Sequence, residues 1–412
     1  MASHLVRSFV IVLVISIVMP PLAHAMERRV DPESGRIRLL YIGSPFWGTK
    51  PGLILLSDPK FQATLIPAIT VWWSAATMYG NPYEEIRRYV RVYFPRTFDE
   101  LVATYDLIQL SGCDESVISG RWQEWFTEVV KERGLGLAMN DGYRGFGGGP
   151  GAHSTWEGSY LESNLLPTNS LTKQFVRGTM RARVRVRNTF TTSLPFETAP
   201  PIMEINRVVT KEGTTLLMDV SPQEQPLLVY WDIGEGRALS WTCDLHGFYK
   251  GSGIWQRNWP YWIDFVLNLD FFAAGLECPS DPALMHEIRQ GMQSYSIRLT
   301  LVEDLVSFIE KFGASSKKID EQMDLVKETK EKLDRAYLRG EYPHALEIAR
   351  QLDERFDELE TLAMKERSKA LMWIYIIEYL SVTGSLLVVG CVVWMVMVRR
   401  RLYKPVPTTR AV

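Results

Sequence analysis

Cysteine is scarce in this chain. Four in 412 residues are too few for a disulfide scaffold in an exported protein, and one of them, Cys391, falls inside a long apolar run. Cys243 and Cys278 are available to pair, which would leave Cys113 free. A charge imbalance is also missing: the formal net charge is -2, which argues against a general nucleic-acid binder. No Asn-x-Ser/Thr sequon occurs, so the sequence gives no support to an N-glycosylated surface protein. Neither G-x-G-x-x-G nor a P-loop pattern is present. The glycines between Gly142 and Gly151 are therefore not a dinucleotide or phosphate fingerprint, and no cofactor is expected.

Both ends of the chain are apolar. After Arg7 comes "SFVIVLVISIVMP" and then "PLAHA", whose Ala23 and Ala25 have the small-x-small spacing of a signal-peptidase site. Residues 1–25 thus read as a cleaved leader, since the run is short for a retained span. From Tyr379 to Val398 every residue is uncharged, about the length that crosses a hydrocarbon core of roughly 30 Å. Arg399, Arg400, Arg401 and Lys404 follow, so residues 399–412 read as a cytoplasmic tail, and Trp373, Tyr375 and Tyr379 suit the outer interface. The expectation is a single-pass type I membrane protein of a bacterial or archaeal cell envelope, its bulk extracytoplasmic and held to lipid by the C-terminal span.

Between the ends, "RIRLLYIGS", "YVRVYFP", "YDLIQLSG" and "ERGLGLAMND" read as four strands. "SGRWQEWFTEVVKERG" reads as a helix with Trp122, Trp125, Phe126, Val129 and Val130 on one face and Gly134 as its stop. Strands alternating with helices imply a doubly wound parallel sheet, whose working surface is the crevice at the carboxyl ends of the strands: Gly43 to Trp47, Ser111 to Glu115 and Asn140 to Gly149. "KEGTTLLMDVS", "QPLLVYWDI" and "GRALSWTCDLHG" add antiparallel strands, and "IWQRNWPYWIDFVLNLDFFAAG" a buried aromatic helix. The expected α/β domain covers 35–280. A charged helical stretch over 281–370 follows, read as a coiled-coil-like hairpin or stalk, and it runs without a stop signal into the transmembrane helix at 379–398.

"GLGLAMNDGYRGFGGG", from Gly134 to Gly149, has the shape of a strand delivering its last residues into a tight turn. The order of "LLYIG", "VYFPRTFDELVATYDLIQLSG", this turn, "TWEGSYLESNLLP" and "GEGRALSWTCDLHG" resembles the class I glutamine amidotransferase-like superfamily, and more closely its exported or membrane-anchored branch. The resemblance covers about Arg36 to Leu276. It implies a flavodoxin-like fold and, in catalytic members, a Cys-x-Gly elbow with a His and a Glu two residues apart after a late strand. Cys, His and Glu work there because a thiolate needs a neighbouring base and an orienting acid. Here Asn140-Asp141-Gly142 lies over Cys-x-Gly, and His246 is followed by Gly247 and Phe248 with no Glu. An amide cannot attack glutamine.

Other groups around the expected crevice are Asp114, Glu115, Trp156 and His153. Cys113 could serve as a relocated thiol nucleophile, although a free Cys at a strand end is more often a small buried residue. Asp141 with Asp244 and His246 offers mixed N/O ligands, but at a spacing that matches no metal motif. In "RGTMRARVRVRNTF", Arg181, Arg183, Arg185 and Arg187 share parity. An extended strand would set all four on one face, either as an anion-binding ladder for a glycan or phosphate or as a solvated edge. Trp47, Trp72, Trp73 and Trp156 near the crevice suit sugar rings, whereas Trp122, Trp125, Trp259 and Trp262 are at core spacing.

Together these readings point to a non-catalytic head that binds a ligand or partner at the crevice, with the stalk associating with another membrane protein or with itself. The competing class is a hydrolase of an envelope amide or sugar derivative using Cys113, Asp141 or His246, and a purely structural envelope component is a third.

Overall fold

The computed structural model describes residues 30–46, 50–68, 83–140, 142, 145–148, 155–246, 258–312 and 315–402. The expected leader at 1–25 and the tail beyond Leu402 lie outside them. Among the described residues nine strands form one sheet, ordered β2-β1-β3-β4-β9-β8-β7-β5-β6. They are β1 (Ile37–Gly43), β2 (Phe61–Pro67), β3 (Leu107–Ser111), β4 (Gly136–Asn140), β5 (Thr168–Val184), β6 (Ile202–Thr210), β7 (Thr215–Ser221), β8 (Gln225–Ile233) and β9 (Gly236–Trp241). The half β2-β1-β3-β4-β9 is parallel and the remainder antiparallel. This is the doubly wound α/β sheet with added antiparallel strands that the sequence implies.

Two apolar layers cover the parallel half. On one face Leu40, Ile42, Ile108, Leu110, Leu137 and Met139 are buried with α2 (Tyr83–Tyr93), α3 (Phe98–Thr104), α4 (Gly120–Arg133) and α5 (Tyr160–Asn164). On the other face Leu39, Tyr41, Ala138, Leu239 and Trp241 share a core with α1 (Pro51–Ser57), α6 (Thr189–Thr192) and α7 (Trp262–Ala273). Burial on both faces explains why β3 and β4 read as continuous apolar runs.

"YVRVYFP", expected as a strand, is instead the end of α2 and the turn after it. Ile86, Val90 and Phe94 are buried at intervals of four, so the helical period wins over the local Val90/Val92 alternation, and Val92 and Tyr93 face solvent. The strand that pairs beside β1 is β2, a sheet-edge strand whose Gln62, Ala63 and Thr64 carry little apolar signal.

The chain divides into two compact units. The first extends to Gln293 and takes in Asp334–Leu346; the second comprises Ser294–Leu333 and Glu347–Val412. The expected boundary near 280 falls before α8 (Pro282–Lys311), whose first turns are part of the first unit. In the second unit, Ile319, Val326 and Leu333 of α9 (Lys317–Leu338) are buried seven residues apart, as are Leu352 and Leu359 of α10 (Tyr342–Leu402). Arg298 fastens this unit by pairing with Glu360 at 2.6 Å and Asp357 at 2.6 Å while lying over the Phe356 ring. Helix α10 is continuous for 61 residues, roughly 90 Å, and its C-terminal half is long and apolar enough to cross a membrane.

One buried carboxyl in the sheet-facing core lacks a hydrogen-bond partner among the described residues. Asp270 of α7 is fully buried and, among the described residues, neither of its carboxyl oxygens has a hydrogen-bond partner. Burial pushes its pKa well above the usual carboxylate range. The folded state therefore holds this proton more tightly than the unfolded chain, so the contribution to stability is complete below a pH of about 4 and is lost as pH rises through the raised value. Asp270→Asn should raise the thermal midpoint above pH 7 and flatten its decline with pH in melts of the full chain. An unchanged pH profile would contradict an uncompensated Asp270.

Candidate functional site

The parallel strands β1, β3, β4 and β9 deliver their carboxyl ends to one place. In register, Gly43 stands beside Ser111, Ser111 beside Asn140, and Asn140 beside Trp241. A Cβ at Gly43 would lie 1.9 Å from the Ser111 carbonyl oxygen, so only glycine lets β1 and β3 close this tightly. The next residue after Ser111, Gly112, has φ 62°, and a Cβ there would sit 2.7 Å from Ser44 Oγ and 3.1 Å from His246 Cε1. Both glycines give up a side chain so that Ser44, Ser111 and the His246 ring can converge.

His246 enters from the segment after β9. Asp244 Oδ1 accepts the His246 backbone N–H at 2.7 Å and lies 2.7 Å from Nδ1. A carboxylate can only accept, so Nδ1 carries the proton and Nε2 is turned inward. Nε2 lies 3.3 Å from Ser111 Oγ and 3.4 Å from the Tyr41 hydroxyl. Ser111 in turn donates to Asn140 Oδ1. The sequence Asp244, His246, Ser111 has the connectivity of an acid, base and hydroxyl relay. It differs in one respect: a serine has a single proton, and here that proton goes to the Asn140 amide. The relay is also closed, with Tyr41, Ser111 and Asn140 at 0% exposure and His246 at 1%. Asn140 Nδ2 and Ser44 Oγ are buried without a hydrogen-bond partner among the described residues.

The expected site residues divide accordingly. Asn140 and His246 converge, joined through Ser111. Asp244, weighed in the sequence only as a metal ligand, orients the histidine. Cys113 is buried with its thiol 3.6 Å from the Asp114 carbonyl, and Asp114 precedes the short turn Glu115–Val117. Trp156 is fully buried: its Nε1 donates to the Cys113 carbonyl at 3.0 Å, so it braces the strand-end loop and offers no face to a sugar. The Gly142 carbonyl accepts from Asn206 Nδ2 at 2.7 Å. Asp141, His153, Trp47, Trp72 and Trp73 lie outside the described residues. No three His, Cys, Asp or Glu side chains among the described residues stand where they could hold a metal ion. Cys243 and Cys278 are unpaired; burial pushes both thiols up, Cys278 to about 12, and their sulfurs lie 3.5 Å from the Glu204 carbonyl and 3.4 Å from the Asn268 carbonyl.

The arginine ladder is largely neutralised within the chain. Arg183 and Arg185 both grip Asp219, Arg183 through two hydrogen bonds of 2.9 and 2.8 Å and Arg185 at 2.7 Å, with Glu224 alongside. Burial works against the Asp219 carboxylate, but the two guanidinium groups outweigh it and hold its pKa below the usual range. Strand β5 ends at Val184, so Arg185 and Arg187 lie past the extended stretch that the parity argument needs.

Residues 87–270 match the family model described as "Putative glutamine amidotransferase", GATase1-like. This part of the chain is a glutamine amidotransferase-like domain. No curated protein matches the sequence. Similar solved structures include two cytoplasmic proteins of Salmonella typhimurium. One is 18% identical with a TM-score of 0.44, covering 57% of this chain and 99% of its own; the other is 19% identical with a TM-score of 0.44, covering 57% and 98%. A thua-like protein from Parabacteroides merdae is 12% identical with a TM-score of 0.35, covering 59% of this chain and 92% of its own. Within these residues, Asn140 ends β4 and its amide is bonded to Ser111.

Ser111 carries the network, and the sequence marked it only as the first residue of a strand-end stretch. Ser111→Ala should cost about 1–3 kcal/mol by stranding Asn140 and the inner face of His246. Gly112→Ala should destabilise by a similar or larger amount, because its left-handed backbone costs an L-residue roughly 1–2 kcal/mol before any contact with Ser44. Thermal midpoints within 1 °C of the parent for both variants would contradict the network.

Proposed function

We propose that this chain is a membrane-anchored, extracytoplasmic binding protein of the cell envelope, whose amidotransferase-like domain recognises a ligand or partner without catalysing a reaction. The observation that carries the reading is the contact of the Ser111 hydroxyl, beside His246, with the amide oxygen of Asn140, which occupies the elbow where a nucleophile would stand. The amide of Asn140, the hydroxyl of Ser44 and the Asp244-held imidazole are buried beneath the strand ends, so recognition falls to the surface around them. Anchoring and orientation rest on the apolar half of α10 and the Arg399–Arg401 cluster after it, which keeps that end in the cytoplasm and the domain outside. Arg181 and Arg187, which Asp219 does not engage, are left for an anionic glycan or phosphate group, and the helical hairpin for association with another membrane protein or a second copy.

A hydrolase is favoured by one observation, the 3.3 Å approach of His246 Nε2 to Ser111 Oγ, and it would then use Ser111 in place of Cys113. The two readings separate by active-site labelling of the full chain in lipid nanodiscs. Binding without catalysis predicts that a fluorophosphonate leaves Ser111 unmodified and that iodoacetamide leaves Cys113 unmodified in the folded protein. Stoichiometric fluorophosphonate labelling of Ser111, lost in His246→Ala, would overturn it in favour of the hydrolase.

A further inference from the structure

A second buried polar cluster lies in the same unit, away from the crevice. Arg289 of α8 is 1% exposed and reaches three side chains on two elements: Asp264 Oδ1 at 3.1 Å and Asn268 Oδ1 at 2.9 Å on α7, and the Tyr337 hydroxyl at 3.2 Å near the end of α9. The Tyr337 hydroxyl donates in turn to Asp58 Oδ2, just past α1, at 2.7 Å. Lys60 donates to the Leu338 carbonyl at 2.6 Å, and His286 Nδ1 lies 2.7 Å from Asp264 Oδ2. Two carboxylates and one guanidinium are thus withdrawn from water together, an arrangement that is costly when a single partner is removed. The cluster fixes the outgoing helix α8 and the returning end of α9 to α1 and α7 at once.

Both α1 and α7 lead from this cluster to the crevice. On α7, Phe265 follows Asp264 and packs its ring 4.7 Å from that of Trp241, the register neighbour of Asn140. On α1, Gly52 is so close to Pro45 that a Cβ would lie 2.6 Å from the Pro45 Cβ, and Pro45 follows Ser44. We infer that Arg289 and Tyr337 form a joint that conformationally couples residues 334–346 to the strand-end crevice of the same unit. Seating of residues 334–346 sets the placement of α7 under Trp241 and Asn140, and a change at the crevice is felt at the joint. Such coupling is reciprocal by thermodynamic necessity. This inference concerns the fold's internal linkage and stands whether the crevice binds or catalyses.

Amide hydrogen exchange of the full chain in nanodiscs tests it. Tyr337→Phe removes the bridging hydroxyl with minimal change of shape, and Arg298→Ala breaks the ion pairs of the second unit as a control. The expected result for Tyr337→Phe is exchange faster by about tenfold in residues 239–246 and 265–273, with the β5–β7 ladder at 181–184 and 218–221 unchanged. Arg298→Ala should leave 239–246 at the parent rate, and His246→Ala should accelerate 334–346. The inference is overturned if Tyr337→Phe alters only 54–60 and 334–346, or if it accelerates all segments equally, which would mean plain destabilisation.

Discussion

The 2.7 Å contact between Asp244 and the His246 ring is the constraint around which the strand-end crevice is arranged. Once the carboxylate holds Nδ1, the other ring nitrogen has one direction left, toward Ser111 and Tyr41, and these can be reached only because Gly43 and Gly112 carry no side chain. Burial raises the stakes: in a site shielded from water each hydrogen bond is stronger and each unpaired group costlier, so the network either forms as a unit or not at all. Ser111 is the pivot, since its single proton decides whether the relay ends in a reactive hydroxyl or in a structural amide.

The sheet supplies the rigidity that this arrangement needs. Both faces of its parallel half are buried, and the strand registers fix Gly43, Ser111, Asn140 and Trp241 side by side. The polar groups that the fold buries are of two kinds. Around His246 and around Arg289 they bond to one another across elements distant in sequence. Asp270 is a carboxyl with no such partner among the described residues, and burial raises its pKa.

Much of this fold was legible in the sequence because local patterns agreed with the tertiary result. "YDLIQLSG" and "GLAMN" are strands, "QPLLVYWDI" is β8 residue for residue, and Gly134 ends α4 as its position implies. "YVRVYFP" misled because a two-residue alternation sits inside a four-residue one, visible only when Ile86 and Phe94 are counted with Val90. The site was legible at Asn140 and His246, whose types depart from a recognisable pattern. Ser111 was not, because its meaning depends on a residue 135 positions away in the chain. The arginine ladder shows the same limit: parity placed four guanidinium groups on one face, and only the fold could bring Asp219, 36 positions from Arg183, to neutralise the middle of it.

The central claim is that the imidazole of His246 is enclosed by Asp244, Ser111 and Tyr41 and is unavailable to solvent-borne reagents. Diethyl pyrocarbonate modification of the native full chain, resolved by peptide mass spectrometry, measures this directly with exposed His344 as the internal reference. The account predicts that His246 reacts slower than His344 by about tenfold or more, as expected for a group reached only through local opening. Equal rates at the two histidines would contradict it.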